Sequence, residues 1–105
     1  MGRFRRINDT AIRAEELLVS ALALAAEVGY QQVTRDAIAA RCGVSVGTIS
    51  HYFGTMTQMR RSLMRQAVAR GVLPVVAQGL AACDPHAQAA DPAIKTKALE
   101  YLANR

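Results

Sequence analysis

The segment from Thr34 to Phe53, TRDAIAARCGVSVGTISHYF, is the part of this chain with the least freedom. It places two short helical stretches on either side of one glycine. Thr34 is a good N-cap, because its hydroxyl can accept from an otherwise free amide of the first turn. Asp36 follows in that turn, where the helix dipole favours a negative charge. Gly43 breaks the helix. Ser45 is a second N-cap, and its helix runs to about Phe53 before Gly54. A helix, a short glycine turn and a short helix give helix-turn-helix spacing. The packing demands of that motif are met as well. Ala39 is small enough to let the helices approach, Gly43 supplies the positive φ of the turn, Val44 plugs the space between them, and Ile49 anchors the second helix. The exposed side of that helix is then Val46, Thr48, Ser50, His51 and Tyr52, a small polar set suited to base edges and phosphates. Two helices joined by a glycine are common, so the spacing alone leaves DNA binding and plain helical packing equally open.

The rest of the chain also reads as helix. Alanine is the commonest residue, and β-branched or aromatic runs are scarce, so an all-α fold is expected. Residues 1–8 read as a basic arm, with Arg3, Arg5 and Arg6 beside Phe4 and Ile7. Asp9 or Thr10 then caps a first helix from about Ala11 to Val28. Leu18, Leu22 and Ala25 repeat at helical spacing beside a second row of Leu17, Ala21, Leu24 and Val28, giving one wide apolar face. Gly29 ends this helix. Thr55 and Gln58 have capping-box spacing and open a fourth helix. Its inner stripe is Met59, Leu63 and Ala67, with Arg60, Arg61, Arg65 and Arg70 outside the stripe. Gly71 and Pro74 kink or end it. Residues 72–83 are apolar and read as a second half of that helix. Asp84-Pro85 and Asp91-Pro92 each set an N-cap before a proline at the first helical position. The last helix, about 92–104, carries Ile94, Ala98, Tyr101 and Leu102 on one face. Residues 83–92 are expected as a linker.

The formal charge of +5 is unevenly placed. Residues 1–70 hold ten arginines against five acids, and residues 71–105 hold three bases against three acids. An anionic partner is expected for the first part and packing for the second. No apolar run approaches the ~18–20 residues of a membrane span, so no membrane partner is expected. No apolar stretch follows the basic start as a signal peptide requires, and Arg6 departs from a myristoylation motif. Cys42 and Cys83 lie far apart and, with two histidines, make no zinc site. A reduced, cytoplasmic chain without metal or cofactor is expected. No nucleophile–base pair, phosphate loop or metal cluster is visible, so an enzyme is not expected.

From about Leu18 to Leu63 the sequence resembles the TetR family of bacterial transcription regulators. The resemblance is carried by Leu22, Leu24, Glu27, Gly29, Tyr30, Thr34, Ile38, Ala39, Arg41, and by the string GVSVGTISHYFG from Gly43 to Gly54. It implies that Thr34 caps the second helix and holds a phosphate. It also implies that Ser45, Val46, Thr48, His51 and Tyr52 belong to the recognition helix and its flanks, with Thr48 and His51 placed for bases and Tyr52 for a phosphate. The departures matter too. The family usually has Lys at Val46, Tyr at Ser50 and Lys at Met56, groups that commonly touch phosphates, and a large aromatic at Ala25. The arginine cluster of Arg3, Arg5, Arg6, Arg35, Arg60 and Arg61 is expected to replace the lost contacts, with the arm reaching a minor groove.

Together these readings give an arm (1–8), a three-helix DNA-binding domain (9–56) and a short helical extension (57–105) that serves dimerisation. The expected function is a sequence-specific transcription regulator, a repressor working as a homodimer on double-stranded DNA. One recognition helix reads only a few base pairs, whereas two placed one turn apart read a palindrome. The expected DNA-binding set is Arg3, Arg5, Arg6, Thr34, Arg35, Ser45, Val46, Thr48, Ser50, His51 and Tyr52. Family members follow helix four with a long ligand-binding domain, whereas about 40 residues follow here. They are too few for an ordinary ligand pocket unless a dimer shares it, so a small-molecule effector is not expected. Two alternatives keep the same fold: an architectural or adaptor module that recruits a partner to DNA, and an interaction domain that has lost DNA binding. Individual residues also have plainer readings. His51 can be an ordinary surface residue, Tyr52 a ring packed on the core, and Arg60, Arg61 and Arg65 a solvated face. Cys42 is expected as a small buried residue, and Arg35 and Arg41 as partners for Asp36 or Glu27.

Overall fold

The computed structural model describes residues 2–104, and side chains from residue 13 onward. Among the described residues there are seven helices and no strand: α1 (Gly2–Val28), α2 (Arg35–Cys42), α3 (Val46–Phe53), α4 (Met56–Arg70), α5 (Leu73–Ala81), α6 (Pro85–Gln88) and α7 (Pro92–Ala103). The expected all-α class is what is found.

Local capping sets most of the helix starts. Thr34 Oγ1 accepts from the Ala37 amide at 3.1 Å, and Ser45 Oγ accepts from the Thr48 amide at 3.2 Å. Thr55 and Gln58 form the complete box, each side chain satisfying the other's amide, at 3.1 and 2.9 Å. Gly43 closes α2 with φ 69°, and its amide donates to the Ala39 carbonyl. A Cβ at Gly43 would meet nothing within 4 Å, so the left-handed backbone alone selects glycine there.

Three segments differ from the sequence-based expectation. α1 begins at Gly2, not near Ala11, so residues 2–8 are helical and not a separate arm. Asn8, Asp9 and Thr10 have N-cap chemistry, but none of them breaks a helix, and no proline or internal glycine interrupts the run. Residues 72–83 do not continue α4. Gly71, at φ 67°, ends that helix, and α5 restarts with Pro74 in its first turn. Residues 83–92 are not a linker. They contain α6, whose Ala87 is fully buried, and Ala90 is buried beside it in sequence.

One core runs through the molecule. Leu17, Ala21, Leu22 and Ala25 of α1 meet Ile38 and Ala39 of α2, Ile49 and Phe53 of α3, and Met59, Leu63, Met64 and Ala67 of α4. Val75, Val76 and Ala77 of α5, Ala87 of α6 and Ala98 of α7 join the same cluster. α4 therefore packs both against the helices that precede it and against those that follow it. Three expected apolar positions lie outside the core: Val28 at the end of α1, and Tyr101 and Leu102 on the α7 face, where Ala98 is buried and Ile94 half-buried. Gly79 fixes the approach of α5. A Cβ there would lie 2.7 Å from the Ala87 Cβ and 2.6 Å from the Met64 Cε, so no larger residue fits without displacement.

Polar ties connect the extension to the end of α1. Gln78 of α5 donates from Nε2 to the Ala25 carbonyl at 3.0 Å and accepts from the Tyr30 amide at 2.8 Å. The Tyr30 hydroxyl donates to Asp84 Oδ2 at 3.1 Å, while Asp84 Oδ1 caps α6 through the amides of His86 and Ala87. Burial, and then the Asp84 carboxylate, push the Tyr30 phenol up to about 12. The unfolded phenol ionises near pH 10. The stability that Tyr30 contributes is therefore intact below pH 10 and is lost as pH rises through about 12. Tyr30→Phe is expected to cost about 1 kcal/mol at neutral pH and to flatten this alkaline loss. Urea titrations between pH 7 and 11.5 check it, and an equally steep alkaline loss in the variant would contradict it.

Candidate nucleic-acid interface

α3 has only eight residues, and its placement comes from its inner side. Ile49 is fully buried and Phe53 is 9% exposed. The helical repeat then turns Gly47, Thr48 and His51 away from the core. His51 is exposed, Thr48 is half-buried, and Val46 and Ser50 lie along one edge. Tyr52 lies along the other edge at 37% exposure, with the His51 ring packed edge-on against it at 5.6 Å. Tyr52 is thus a surface ring and not a core residue. The outward surface is short, polar and free of carboxylates.

The expected contact residues fall into three groups. Thr34 and Ser45 are exposed caps, each holding its own helix start. Ser45 Oγ also shares a hydrogen bond with Thr48 Oγ1 at 3.0 Å, which sets the Thr48 rotamer before any ligand arrives. Arg35 and Ser50 are engaged with each other. Arg35 Nη1 donates to Ser50 Oγ at 3.1 Å and, more weakly, to the Gly54 carbonyl at 3.4 Å. This guanidinium joins the start of α2 to the end of α3, where a cation also suits the helix dipole. His51, Val46 and Tyr52 form the third group, without a side-chain hydrogen bond among the described residues. The side chains of Arg3, Arg5 and Arg6 lie outside the described residues.

Charge pairing distinguishes the arginines. Arg41 pairs with Glu27 at 2.8 Å, one of the expected pairings. Arg70 grips Glu15 with both ends of its guanidinium, at 2.6 and 2.9 Å. These hydrogen bonds hold the Glu15 and Glu27 carboxyls below their ordinary range. Arg60, expected outside the inner stripe, is half-buried, and its Nε has no partner among the described residues. Arg61 and Arg65 are exposed and carry no carboxylate partner among the described residues. With Gln58 and Ser62 they line an open groove beside Tyr52. The sequence reading counts Arg61 among the arginines expected to replace the lost phosphate contacts, with a solvated face as the plainer alternative for both, and gives Arg65 only that plainer reading. Their spacing of four places them on one side of α4, but the groove itself also needs the wall from α3. Cys42 is half-buried against the core and not fully enclosed.

Among the described residues, no group of three or more histidines, cysteines or carboxylates is placed to hold a metal ion. Among the same residues, no helix is long and apolar enough to cross a membrane. Ser45→Ala is expected to lower stability by about 1 kcal/mol through the lost cap and to release the Thr48 side chain. Thermal unfolding checks the first effect and the Thr48 methyl NMR signal the second; a variant with unchanged melting would contradict the cap's role.

Residues 17–63 match the family described as bacterial regulatory proteins, tetR family. The HTH-type transcriptional regulator BetI 2 of Chromohalobacter salexigens is 42% identical over 61 residues, covering 58% of this chain and 30% of that protein. The HTH-type transcriptional regulator BetI of Yersinia pestis is 38% identical over 86 residues, covering 79% of this chain and 43% of that protein. The chain therefore spans less than half the length of these relatives. No solved structure matches it.

Proposed function

Residues 17–63 make this chain a member of the tetR family of bacterial regulatory proteins, and on that footing we propose that it is a sequence-specific DNA-binding transcription regulator. It acts as a repressor, a homodimer occupying a palindromic operator. The family is one of regulators and not of enzymes. The observation that carries the reading is the state of α3: two buried anchors hold it, and its outward side presents an exposed His51 beside a half-buried Thr48. A protruding polar helix of this kind fits the major groove.

The roles divide by geometry. His51 and Thr48 reach base edges. Thr34, Ser45 and Tyr52 meet phosphates on either side, and Arg3, Arg5 and Arg6 add affinity near the start of α1. Val46 offers an apolar contact, such as a thymine methyl. Arg35 and Ser50 contribute with the donors and lone pairs left over from their mutual bond. Dimerisation falls to the extension, where Leu99 is 56% exposed beside exposed Tyr101 and Leu102. An apolar set of that size on one short helix favours a second copy of the chain.

Two measurements test this reading. His51→Ala is expected to weaken binding to the operator duplex by roughly 1–3 kcal/mol, the range of a base contact, with little change on a scrambled duplex. Fluorescence anisotropy reads both, and an equal loss on the two duplexes would remove the base-reading role. Replacing Leu99 and Leu102 by Lys should give a folded monomer in sedimentation velocity. A dimer that persists would place the interface elsewhere.

A further inference from the structure

α4 leaves the end of α3 with its outer side facing a groove of about 470 Å³. Tyr52, Phe53 and Gly54 form one wall, and Gln58, Arg61, Ser62 and Arg65 form the other. Arg61 and Arg65 are one helical turn apart, so their charges repel along the helix. No acid within salt-bridge distance relieves them among the described residues, whereas the arginines at 41 and 70 each hold a glutamate. Arg65 Nη2 donates to Ser62 Oγ at 3.3 Å, which draws that side chain back along the helix beside the groove. Gln58 is fixed by the capping box. The groove thus gathers two uncompensated guanidiniums, a serine hydroxyl and a phenol, with no carboxylate on either wall. Such a surface suits an extended polyanion with repeated phosphates, since each guanidinium can take two phosphate oxygens and a counterion is released per contact.

We infer that this α3–α4 groove is a second DNA contact, in which Arg61 and Arg65 grip backbone phosphates flanking the groove that α3 reads. The inference rests on the proposed DNA-binding function and adds the residues that take over where Val46 and Met56 lack the family's usual lysines. The groove reads no sequence. It supplies affinity and orientation, and it makes binding more dependent on salt.

The test compares three forms of the full chain on the operator duplex and on a scrambled duplex across a salt series. They are the unmodified chain, Arg61→Gln/Arg65→Gln, and Lys95→Gln/Lys97→Gln, which removes two charges elsewhere that hold no carboxylate among the described residues. Both groove residues are exposed, so the fold is expected to survive, with circular dichroism as the check. The groove variant should lose at least about tenfold on both duplexes alike, and its slope of log K against log salt should fall by about 3.6 per bound dimer, the value for four phosphates, two from each chain. The control variant should keep nearly the full slope. Equal slopes for the unmodified chain and the groove variant would overturn the groove and leave the recognition helix standing. Equal losses in both double variants would also overturn it, because overall charge would then explain the effect. An unmodified chain that binds neither duplex would overturn the groove and the function together.

Discussion

An eight-residue helix is not stable in water by itself, so everything outward on α3 depends on the burial of Ile49 and Phe53. Each buried side chain contributes roughly 1.5–3 kcal/mol. That is enough to fix the axis and rotation of α3 but not to tolerate a gap beneath it. The platform is built for the purpose. Ala39 is small and nearly fully buried, Gly43 turns the chain, and Val44 packs against the core between the two helices. Ser45 and the Arg35 guanidinium then secure the two ends of α3. The proposed recognition surface is therefore set in position before any partner arrives, which lowers the ordering cost of binding.

The same platform is tied to the extension by few but specific bonds. Gln78 reaches both the last turn of α1 and the residue after Gly29, and Tyr30 reaches Asp84 at the start of α6. The apolar cluster continues beneath these ties from α1 through α4 to α5 and α7. A change in the arrangement of α5 to α7, such as pairing with another copy, thus acts on the end of α1 and on the loop that leads into α2. Gly79 leaves little room for slack in that connection, because α5 already sits against Met64 and Ala87 at the limit of contact.

What was legible in the sequence was local. The caps at Thr34, Ser45, Thr55 and Asp84 follow from side-chain chemistry within three residues and make the bonds expected, whereas Asp91, expected on the same grounds, starts α7 without a side-chain cap bond. The inward row of α4 follows from its period. The misses are tertiary or permissive. Residues 83–92 carry turn residues and little bulk, yet Ala87 is buried because Gly79 and Met64 come to it from α5 and α4. Asp9 and Thr10 have cap chemistry inside a run that nothing interrupts, so the helix passes through them. The Arg35–Ser50 bond joins residues on separate helices, and no local pattern signals it. For the interface itself, the outward positions of α3 followed from its period once Ile49 was fixed inward. The groove beside them depended on the angle between α3 and α4, which only the fold supplies.

The most direct measurement is an amide chemical-shift map of the full chain titrated with the duplex from upstream of its own gene, at about 0.15 M salt. A recognition helix held in a major groove predicts the largest changes from Ser45 to Tyr52, with Thr34 beside them, and saturation at two chains per duplex. Changes centred on α7, or none at all, would contradict the account.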